Sequence, residues 1–258
     1  MRVRQVKVKI IANQKLSGNY GLLEFESGLI ARQAVAGQFV NIRVNASFEP
    51  LLRRPLSIHG VKAAKVKVMY KIIGKGTQIL AKRKPGEFLD IIGPLGQGFN
   101  YSRPAKAQEK KNILIAGGMG VAPLLFLAEK LKLTSPLVLI GAQTRKQILC
   151  QQDFRTLGCT VKLATDDGSA GFKGRVTDLL KIVLEQAKPL GLFSCGPHPM
   201  LKAVAQIASE NKIPAQLSLE EHMACGIGAC LGCVVATKTG YRSVCKDGPV
   251  FPSEELIW

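Results

Sequence analysis

The sequence has few aromatic residues, few acidic residues and no long apolar run, and each shortage excludes a class of protein. Phe, Trp and Tyr make up only 6% of the 258 residues, which is poor for stacking on nucleic-acid bases. The longest nearly apolar run, 113–128, is shorter than a membrane span and contains glycines and a proline. The first ten residues interleave basic and apolar side chains and lack the apolar core of a signal peptide. We therefore expect a soluble cytoplasmic protein that binds neither a membrane nor nucleic acid.

The shortage of acidic residues leaves a formal net charge of +18, from 36 Lys and Arg against 18 Asp and Glu. The basic residues are spread along the chain instead of being massed in one block, which argues against a nucleic-acid surface. A spread of this kind is typical of solubility and of long-range attraction for anionic dinucleotides or a partner. The chain also supplies no obvious acid–base pair for substrate chemistry, so we predict no catalytic residue in it.

Residues 1–100 predict a small antiparallel β-barrel. Six short segments of strand character are separated by glycine and proline turns, and no long helical pattern interrupts them. The predicted strands are 3–11, 20–26, 39–44, 56–60, 65–72 and 88–92. Within them Arg54-Pro-Leu-Ser57 is a candidate flavin site, since an Arg can pair with a pyrophosphate and a Ser can bond a flavin nitrogen. Taken alone, this segment is by default a solvated basic turn.

A polar linker at about 101–111 precedes a different pattern. Apolar strands alternate with helices, which predicts a parallel sheet with crossover helices over 101–215. The predicted strands are 112–116, 137–141, 160–164 and 192–194, and the predicted helices are 121–133, 177–186 and 199–211. Residues 216–258 form a cysteine-rich module. The predicted fold class is thus multi-domain: an N-terminal antiparallel β-barrel, a central parallel α/β nucleotide-binding domain and a small C-terminal module.

The cysteine spacing in the C-terminal module is the most specific chemical signal. Four of the seven cysteines lie there, at Cys225, Cys230, Cys233 and Cys245. The spacing C-x4-C-x2-C with a later fourth cysteine is the plant-type arrangement for a [2Fe–2S] cluster. The intervening glycines would let the backbone turn tightly around inorganic sulfide. The alternative is a structural zinc site, but zinc ribbons usually show two C-x2-C pairs, and only Cys230 and Cys233 have that spacing.

Two turns at the ends of predicted parallel strands are candidate nucleotide sites. The glycine-rich turn 117–120 leads into a helix whose N-terminus could receive a pyrophosphate. It is not the G-x-G-x-x-G fingerprint, which disfavours a plain dinucleotide-binding dehydrogenase. The turn 195–197 follows another strand, and the small Cys195 would leave room for a flat ring. A buried cysteine before a helix-starting turn explains that segment equally well.

Taken in order, these segments resemble the ferredoxin–NADP reductase superfamily. The motif over 220–233 narrows the resemblance to the electron-transfer subunits of class B, NAD-dependent dihydroorotate dehydrogenases, and it covers essentially the full chain. It implies FAD on the barrel at Arg54, Pro55, Leu56, Ser57, Met69, Tyr70, Lys71, Gly76 and Thr77. It implies a nicotinamide cofactor at Gly117, Gly118, Gly120, Cys195, Gly196 and Pro197. It implies a [2Fe–2S] cluster held by Cys225, Cys230, Cys233 and Cys245.

The resemblance also implies a function. A separate FMN-containing catalytic subunit would oxidise dihydroorotate to orotate in pyrimidine biosynthesis, with two copies of each chain in a heterotetramer. Electrons would pass through the [2Fe–2S] cluster and FAD to NAD+. One alternative keeps these cofactors but serves a hydrogenase or a ferredoxin-linked transhydrogenase. Another is a zinc-stabilised basic binding module.

The residues themselves leave the choice between NAD and NADP open. Arg145 and Lys146 follow the predicted strand 137–141, where basic side chains could accept the 2′-phosphate of NADP. They could equally be solvated, and NAD is the choice implied by the resemblance. Asp166 could line the cofactor cleft, although Asp-Gly is more often a turn.

Overall fold

The computed structural model describes residues 3–101 and 111–258, and its first part is a closed six-stranded barrel. The strands are β1 (Gln5–Lys15), β2 (Tyr20–Glu26), β3 (Phe39–Arg43), β4 (Arg54–Lys62), β5 (Lys65–Lys71) and β6 (Phe88–Leu95). They follow one another around the barrel in the order β1-β2-β5-β4-β3-β6, with antiparallel pairing throughout. The predicted antiparallel barrel is confirmed. The predicted linker at about 101–111 lies almost wholly outside the described residues.

The alternation of side chains along β3 decides what each face of this strand contacts. Val40 and Ile42 are fully buried in the barrel core. Phe39 and Asn41 lie on the opposite face, and Phe39 packs in a second core with the C-terminal part of the chain. Burying a large aliphatic side chain contributes about 1.5–3 kcal/mol. Both faces of β3 are therefore covered, one by the barrel and one by the cysteine module.

Two short helices in the barrel half were not predicted. They are α1 (Gly28–Gln33) and α2 (Lys75–Ala81). Helices of this length show too few turns for a 3.6-residue period to stand out. Ser27 caps α1, because its hydroxyl accepts a hydrogen bond of 3.3 Å from the Ile30 amide.

The second part alternates strands and helices as predicted, with extra short elements. The elements are β7 (Ile113–Gly117), α3 (Val121–Leu131), β8 (Leu137–Ala142), α4 (Gln151–Thr156), β9 (Thr160–Thr165), β10 (Phe172–Lys173), α5 (Val176–Gln186), β11 (Leu192–Cys195), α6 (His198–Glu210) and β12 (Ala215–Ser218). The strands β7 to β12 pair in parallel. The parallel α/β part of the predicted fold class is confirmed.

The C-terminal part joins this sheet. It contains a hairpin of β13 (Val234–Thr237) and β14 (Gly240–Ser243), followed by β15 (Val250–Pro252). The strand β15 pairs antiparallel with β12, which completes the sheet order β10-β9-β8-β7-β11-β12-β15. The predicted boundary at 215/216 falls inside β12, because this apolar strand needs the hydrogen bonds of both β11 and β15. We keep the division into 1–100, 101–215 and 216–258 as a proposal, with the sheet shared across the last boundary.

The barrel and the sheet meet where α3 packs against β4. His59 on β4 is buried, and its Nδ1 lies 3.0 Å from the carbonyl oxygen of Ala122 on α3. Within 3–101 and 111–258, no helix is long and apolar enough to cross a membrane.

Candidate functional site

A cavity of about 480 Å³ opens at the carboxyl ends of the parallel strands. The lining residues come from both halves of the molecule: Tyr20, Lys71, Gly117, Gly118, Met119, Gly141, Ala142, Gln143, Gln147, Asp166, Arg175, Val176, Thr177, Pro197, Pro199, Met200 and Ala203. Ligands of open α/β sheets bind at this edge, where successive turns diverge. The cavity is therefore a candidate nucleotide site, and the barrel residues Tyr20 and Lys71 line its other side.

The predicted nicotinamide-site residues divide between the cavity wall and the packing behind it. Gly117, Gly118 and Pro197 line the cavity. Gly120 is buried, and a side chain on it would overlap the carbonyl group of Cys195. The two turns can pack backbone to backbone only because residue 120 has no Cβ. Gly120 thus acts on the site by bringing the turns 117–120 and 195–197 together.

Cys195 is almost completely buried at the end of β11. Burial raises the pKa of its thiol, and the nearby Glu220 carboxylate raises it further. A thiol in this state is neutral and unreactive at physiological pH. Gly196 packs against the backbone of Gly117, since a Cβ on it would come within 3.0 Å of the Gly117 Cα. These two residues shape the turn through their small size.

The far end of the cavity carries a carboxylate and a cation. Asp166 follows β9 and Arg175 precedes α5, and both line the cavity. Arg145 and Lys146, the possible 2′-phosphate contacts, are not among the lining residues. The Arg145 amide instead donates a 2.8 Å hydrogen bond to the Ser169 hydroxyl. The structure thus places Asp166 in the cleft and leaves the basic pair outside its wall.

The predicted flavin residues lie on β4, β5 and α2 of the barrel. Arg54, Pro55, Leu56 and Ser57 are half-buried at the start of β4. The Arg54 guanidinium lies over Gly76, where a Cβ would overlap it. Its other contacts are hydrogen bonds to backbone oxygens of the preceding two residues. The structure therefore brings Arg54 and Gly76 together and leaves the guanidinium without a carboxylate partner among the described residues.

The side chains of three further predicted flavin residues pack or form hydrogen bonds within the barrel half of the chain. The Tyr70 ring packs on Gly21 inside the barrel, and its hydroxyl donates a 2.9 Å hydrogen bond to Asn13 Oδ1. Met69 is buried beside it. The Thr77 hydroxyl accepts hydrogen bonds of 3.1 Å and 3.3 Å from the amides of Ile73 and Gly74, at the start of α2. The Tyr70 side chain is therefore held in the barrel interior.

Lys71 connects the flavin side to the nucleotide cavity. It ends β5, next to the buried Met69 and Tyr70, and it lines the cavity opposite Gly117. Its Nζ lies 6.0 Å from the centre of the Tyr20 ring, which also lines the cavity. The two predicted cofactor sites therefore adjoin at this lysine.

The four cysteines of the C-terminal part lie close together. The Cys245 amide donates a 3.4 Å hydrogen bond to Cys233 Sγ, and the amide of Gly228, on the loop between Cys225 and Cys230, donates a 3.1 Å hydrogen bond to Cys245 Sγ. Cys230 adjoins Cys225 and lowers its pKa. We describe them as two thiol pairs, Cys225 with Cys230 and Cys233 with Cys245. In the part of the chain that the structure describes, no group of three or more His, Cys, Asp or Glu side chains converges as a site for one metal ion.

Backbone amides surround the thiol of Cys225. Its Sγ accepts hydrogen bonds from the amides of Ile227, at 3.4 Å, and Ala229, at 3.3 Å. Burial by itself would raise the pKa of Cys225, but these N–H groups and that of Cys230 lower it to about 6. Gly228 donates in the same way to Cys245 Sγ at 3.1 Å. A loop of amides aimed at sulfur stabilises a negatively charged iron–sulfur centre.

Cys245 is more deeply buried than Cys225. Burial raises its pKa to about 12, and the neighbouring thiol of Cys233 contributes to the same rise. Cys233 and Cys245 lie in the second hydrophobic core, whereas Cys230 is exposed. The pair Cys225 and Cys230 is thus on the outer side of the site and the pair Cys233 and Cys245 on the inner side.

Sequence reasoning missed several residues of these sites. Tyr20, Arg175 and Met200 line the cavity, and Asn41 contacts the cysteine loop. None of them lies in a recognisable motif, because each reaches its site through the tertiary fold. The one available signal was the polar Asn41 in an otherwise apolar strand, Phe-Val-Asn-Ile-Arg.

Two family models match the chain. Residues 220–257 match the iron–sulfur cluster binding domain of dihydroorotate dehydrogenase B. Residues 114–206 match the oxidoreductase NAD-binding domain. The first match contains the two thiol pairs, and the second contains most of the cavity wall.

Curated relatives match nearly the whole chain. The electron transfer subunit of dihydroorotate dehydrogenase B (NAD(+)) from Desulforamulus reducens is 40% identical, with 97% of each chain covered. The subunit of the same name from Geobacillus kaustophilus is also 40% identical, with 91% of each chain covered.

Solved structures share the fold. An NADH-dependent reduced ferredoxin–NADP oxidoreductase, studied for flavin-based electron bifurcation, superposes with a TM-score of 0.86 at 28% identity, covering 97% of this chain and 90% of that chain. The cytochrome b5 reductase domain of Ulva prolifera nitrate reductase superposes with a TM-score of 0.64 at 21% identity, covering 81% of this chain and 94% of that chain. The second likeness concerns the fold alone.

Proposed function

Because the chain belongs to the family of electron transfer subunits of dihydroorotate dehydrogenase B (NAD(+)), we propose that it carries electrons from a separate catalytic subunit to NAD+. The electrons come from the oxidation of dihydroorotate to orotate, a step of pyrimidine biosynthesis. The chain is then an oxidoreductase subunit with FAD, a [2Fe–2S] cluster and NAD as its redox groups. The hydrogenase, transhydrogenase and zinc-module alternatives are not favoured.

The observation that carries this proposal is the gathering of the four cysteines, three on the loop 225–233 and Cys245 after β14, beside β3 of the barrel. Cys225 with Cys230, and Cys233 with Cys245, would each hold one iron. Their loop contacts β3, and β3 is hydrogen-bonded to β4, which starts with Arg54. A single-electron site beside a flavin site and a nucleotide cavity supports a relay.

The chain's own residues then have distinct roles. Arg54 would meet the flavin pyrophosphate, and Lys71 would lie between the flavin and the nucleotide. The turn at Gly117 and Pro197 would bind the nicotinamide cofactor, and Asp166 at the far end favours the ribose diol of NAD over a 2′-phosphate. When bound, the flavin supplies the change between hydride transfer and single-electron transfer. We propose no catalytic acid or base in this chain.

The partner completes the activity. The shared family name implies a separate catalytic subunit. We propose that this subunit contains FMN, that two copies of each chain form a heterotetramer, and that the assembly is cytoplasmic.

A visible spectrum before and after anaerobic addition of NADH tests the proposal. The purified chain should show flavin bands together with the broad absorption of an oxidised [2Fe–2S] cluster, and NADH should bleach both. NADPH at the same concentration serves as the control and should act much more slowly. A protein that stays colourless after reconstitution with FAD, iron and sulfide, or one that binds zinc in place of iron, would refute the proposal.

A further inference from the structure

Asn41 is a fully buried polar residue on the face of β3 that looks away from the barrel core. Its side chain is 0% exposed. Its Nδ2 donates a 3.4 Å hydrogen bond to the carbonyl oxygen of Cys225, a residue of the cysteine loop. Its Oδ1 is buried and has no hydrogen-bond partner among the described residues. This amide is therefore the polar link between the barrel and the loop that carries the first thiol pair.

The cysteine loop is shaped to accept this side chain. Gly226 has a φ of +71°, and a Cβ on it would overlap the Asn41 amide. Two positions earlier on the same face of β3, Phe39 packs in the core that contains Cys233 and Cys245. The Cys225 carbonyl and the hydrophobic core that includes Cys233 and Cys245 thus both lie against this face of β3.

The same strand is the direct neighbour of the flavin strand. Asn41 is opposite Pro55 in the β3–β4 ladder, and Ile42 is opposite Arg54. Neighbouring strands lie about 4.8 Å apart. The residue that holds the cysteine loop is therefore one strand away from the residues proposed to hold the flavin.

A purely structural role does not explain an amide in this place. An aliphatic side chain of the same size could fill the space without burying an unpaired acceptor, which is unfavourable. The contribution that an aliphatic side chain could not make is the hydrogen bond to the Cys225 carbonyl oxygen.

We propose that Asn41 is a positioning residue for electron transfer, which holds the cluster-binding loop at a fixed distance from the flavin strand. The inference rests on the proposed function, because it assumes that the two sites exchange electrons. Asn41 acts through Cys225 and touches neither reacting group itself.

Substitution of Asn41 by Leu tests this role in the chain purified with its cofactors. Asn41→Leu removes the amide and keeps the volume. Iron and FAD contents should stay at the wild-type level, while the electron paramagnetic resonance spectrum of the dithionite-reduced cluster shifts. Reduction of the cluster by NADH should slow by about tenfold to a hundredfold, because a misplacement of about 1 Å can cost about a hundredfold in rate. Asn41→Ala, which adds no apolar volume, replaces this variant if Asn41→Leu does not fold.

Ile42→Val is the matched control, because it loosens the same strand on the barrel side. It should leave the spectrum and the rate as in the wild type. A variant of Asn41 with full cofactors, an unchanged spectrum and an unchanged rate would overturn the inference, and so would equal changes in Ile42→Val. If NADH fails to reduce the wild-type cluster, the proposed function fails, while the spectrum of the dithionite-reduced protein still decides the role of Asn41.

Discussion

Gly120→Ala should weaken nucleotide binding, although Gly120 itself does not line the cavity. The new Cβ would overlap the carbonyl group of Cys195 and lie 3.0 Å from the Gly196 nitrogen. Both neighbours are backbone, so no side-chain rotation can relieve the overlap. The turns 117–120 and 195–197 must separate, and Gly117 and Pro197 on the cavity wall must move with them.

The structure sets the size of this effect. Overpacking a close contact costs about 1–3 kcal/mol, and the reduced entropy of the unfolded chain returns about 0.4–1 kcal/mol. Because the overlap is with backbone atoms, we take the upper end of the overpacking cost and expect a net loss of about 2 kcal/mol in the free energy of unfolding, which lowers Tm by about 4–8 °C for a chain of this size. If the same amount of free energy is lost from NADH binding, the Kd for NADH rises at least about tenfold.

Gly158→Ala is the control for this experiment. Gly158 follows α4 and does not line the cavity, and a Cβ on it would meet no atom within 4 Å, although its φ of +83° makes Ala somewhat strained. Its cost should be about 1 kcal/mol, with little change in NADH affinity. Thermal unfolding and NADH titration of the flavin-loaded protein measure both variants. Wild-type affinity in Gly120→Ala, or a larger loss of affinity in Gly158→Ala, would show that the reasoning about close turn packing is wrong.

Three further predictions concern the cluster, the flavin and the interface of the barrel with the sheet. Cys230→Ser should lose the cluster, because one thiol pair is broken, and wild-type iron and sulfide contents would contradict this. Arg54→Ala should purify with much less FAD, whereas Arg53→Ala, which removes a 3.0 Å ion pair with a barrel carboxylate, should lose stability but keep FAD; equal FAD contents would rule out the assignment. Burial lowers the pKa of His59 from its ordinary 6.5, so its stabilisation is complete above that pH and is lost as the pH falls below it. Relative to His59→Gln, the wild-type free energy of unfolding in urea should therefore fall on acidification by at most about 1.4 kcal/mol per pH unit, and parallel pH profiles would refute this.

The barrel and the parallel sheet could be predicted because their signals are local. Strands such as β2 and β5 alternate apolar and polar side chains, and α5 repeats its apolar positions with a helical period. The shortest elements escaped detection for the same reason. The strand β10 has two residues, and β15 has three, so their sequences contain no period to read.

Some site residues could likewise be predicted from local sequence, and others could not. The spacing of the four cysteines indicates their shared role by itself, since the ligand loop is contiguous from 225 to 233. Tyr70 lies in a segment predicted to contact flavin, but its side chain faces the barrel interior. Whether a half-buried strand residue points inward or outward depends on register, and a one-residue shift in register reverses it.

Only the fold showed which of Asp166, Arg145 and Lys146 lines the nucleotide cavity. All three follow predicted strands of the sheet, and composition alone does not rank them. The turn after β9 directs Asp166 into the cavity, whereas the Arg145 backbone is bonded to Ser169.

The sequence alone thus predicted the fold class from periodicity and the cluster ligands from cysteine spacing within a short segment, whereas FAD and NAD were implied by the resemblance of its motifs to a known family. Only the tertiary structure decided which distant segments adjoin. Lys71 meets the turn at Gly117 across the cavity, and Asn41 reaches Cys225 over a separation of 184 residues. Contacts of this kind depend on how the packed elements stack, and no local pattern encodes that arrangement.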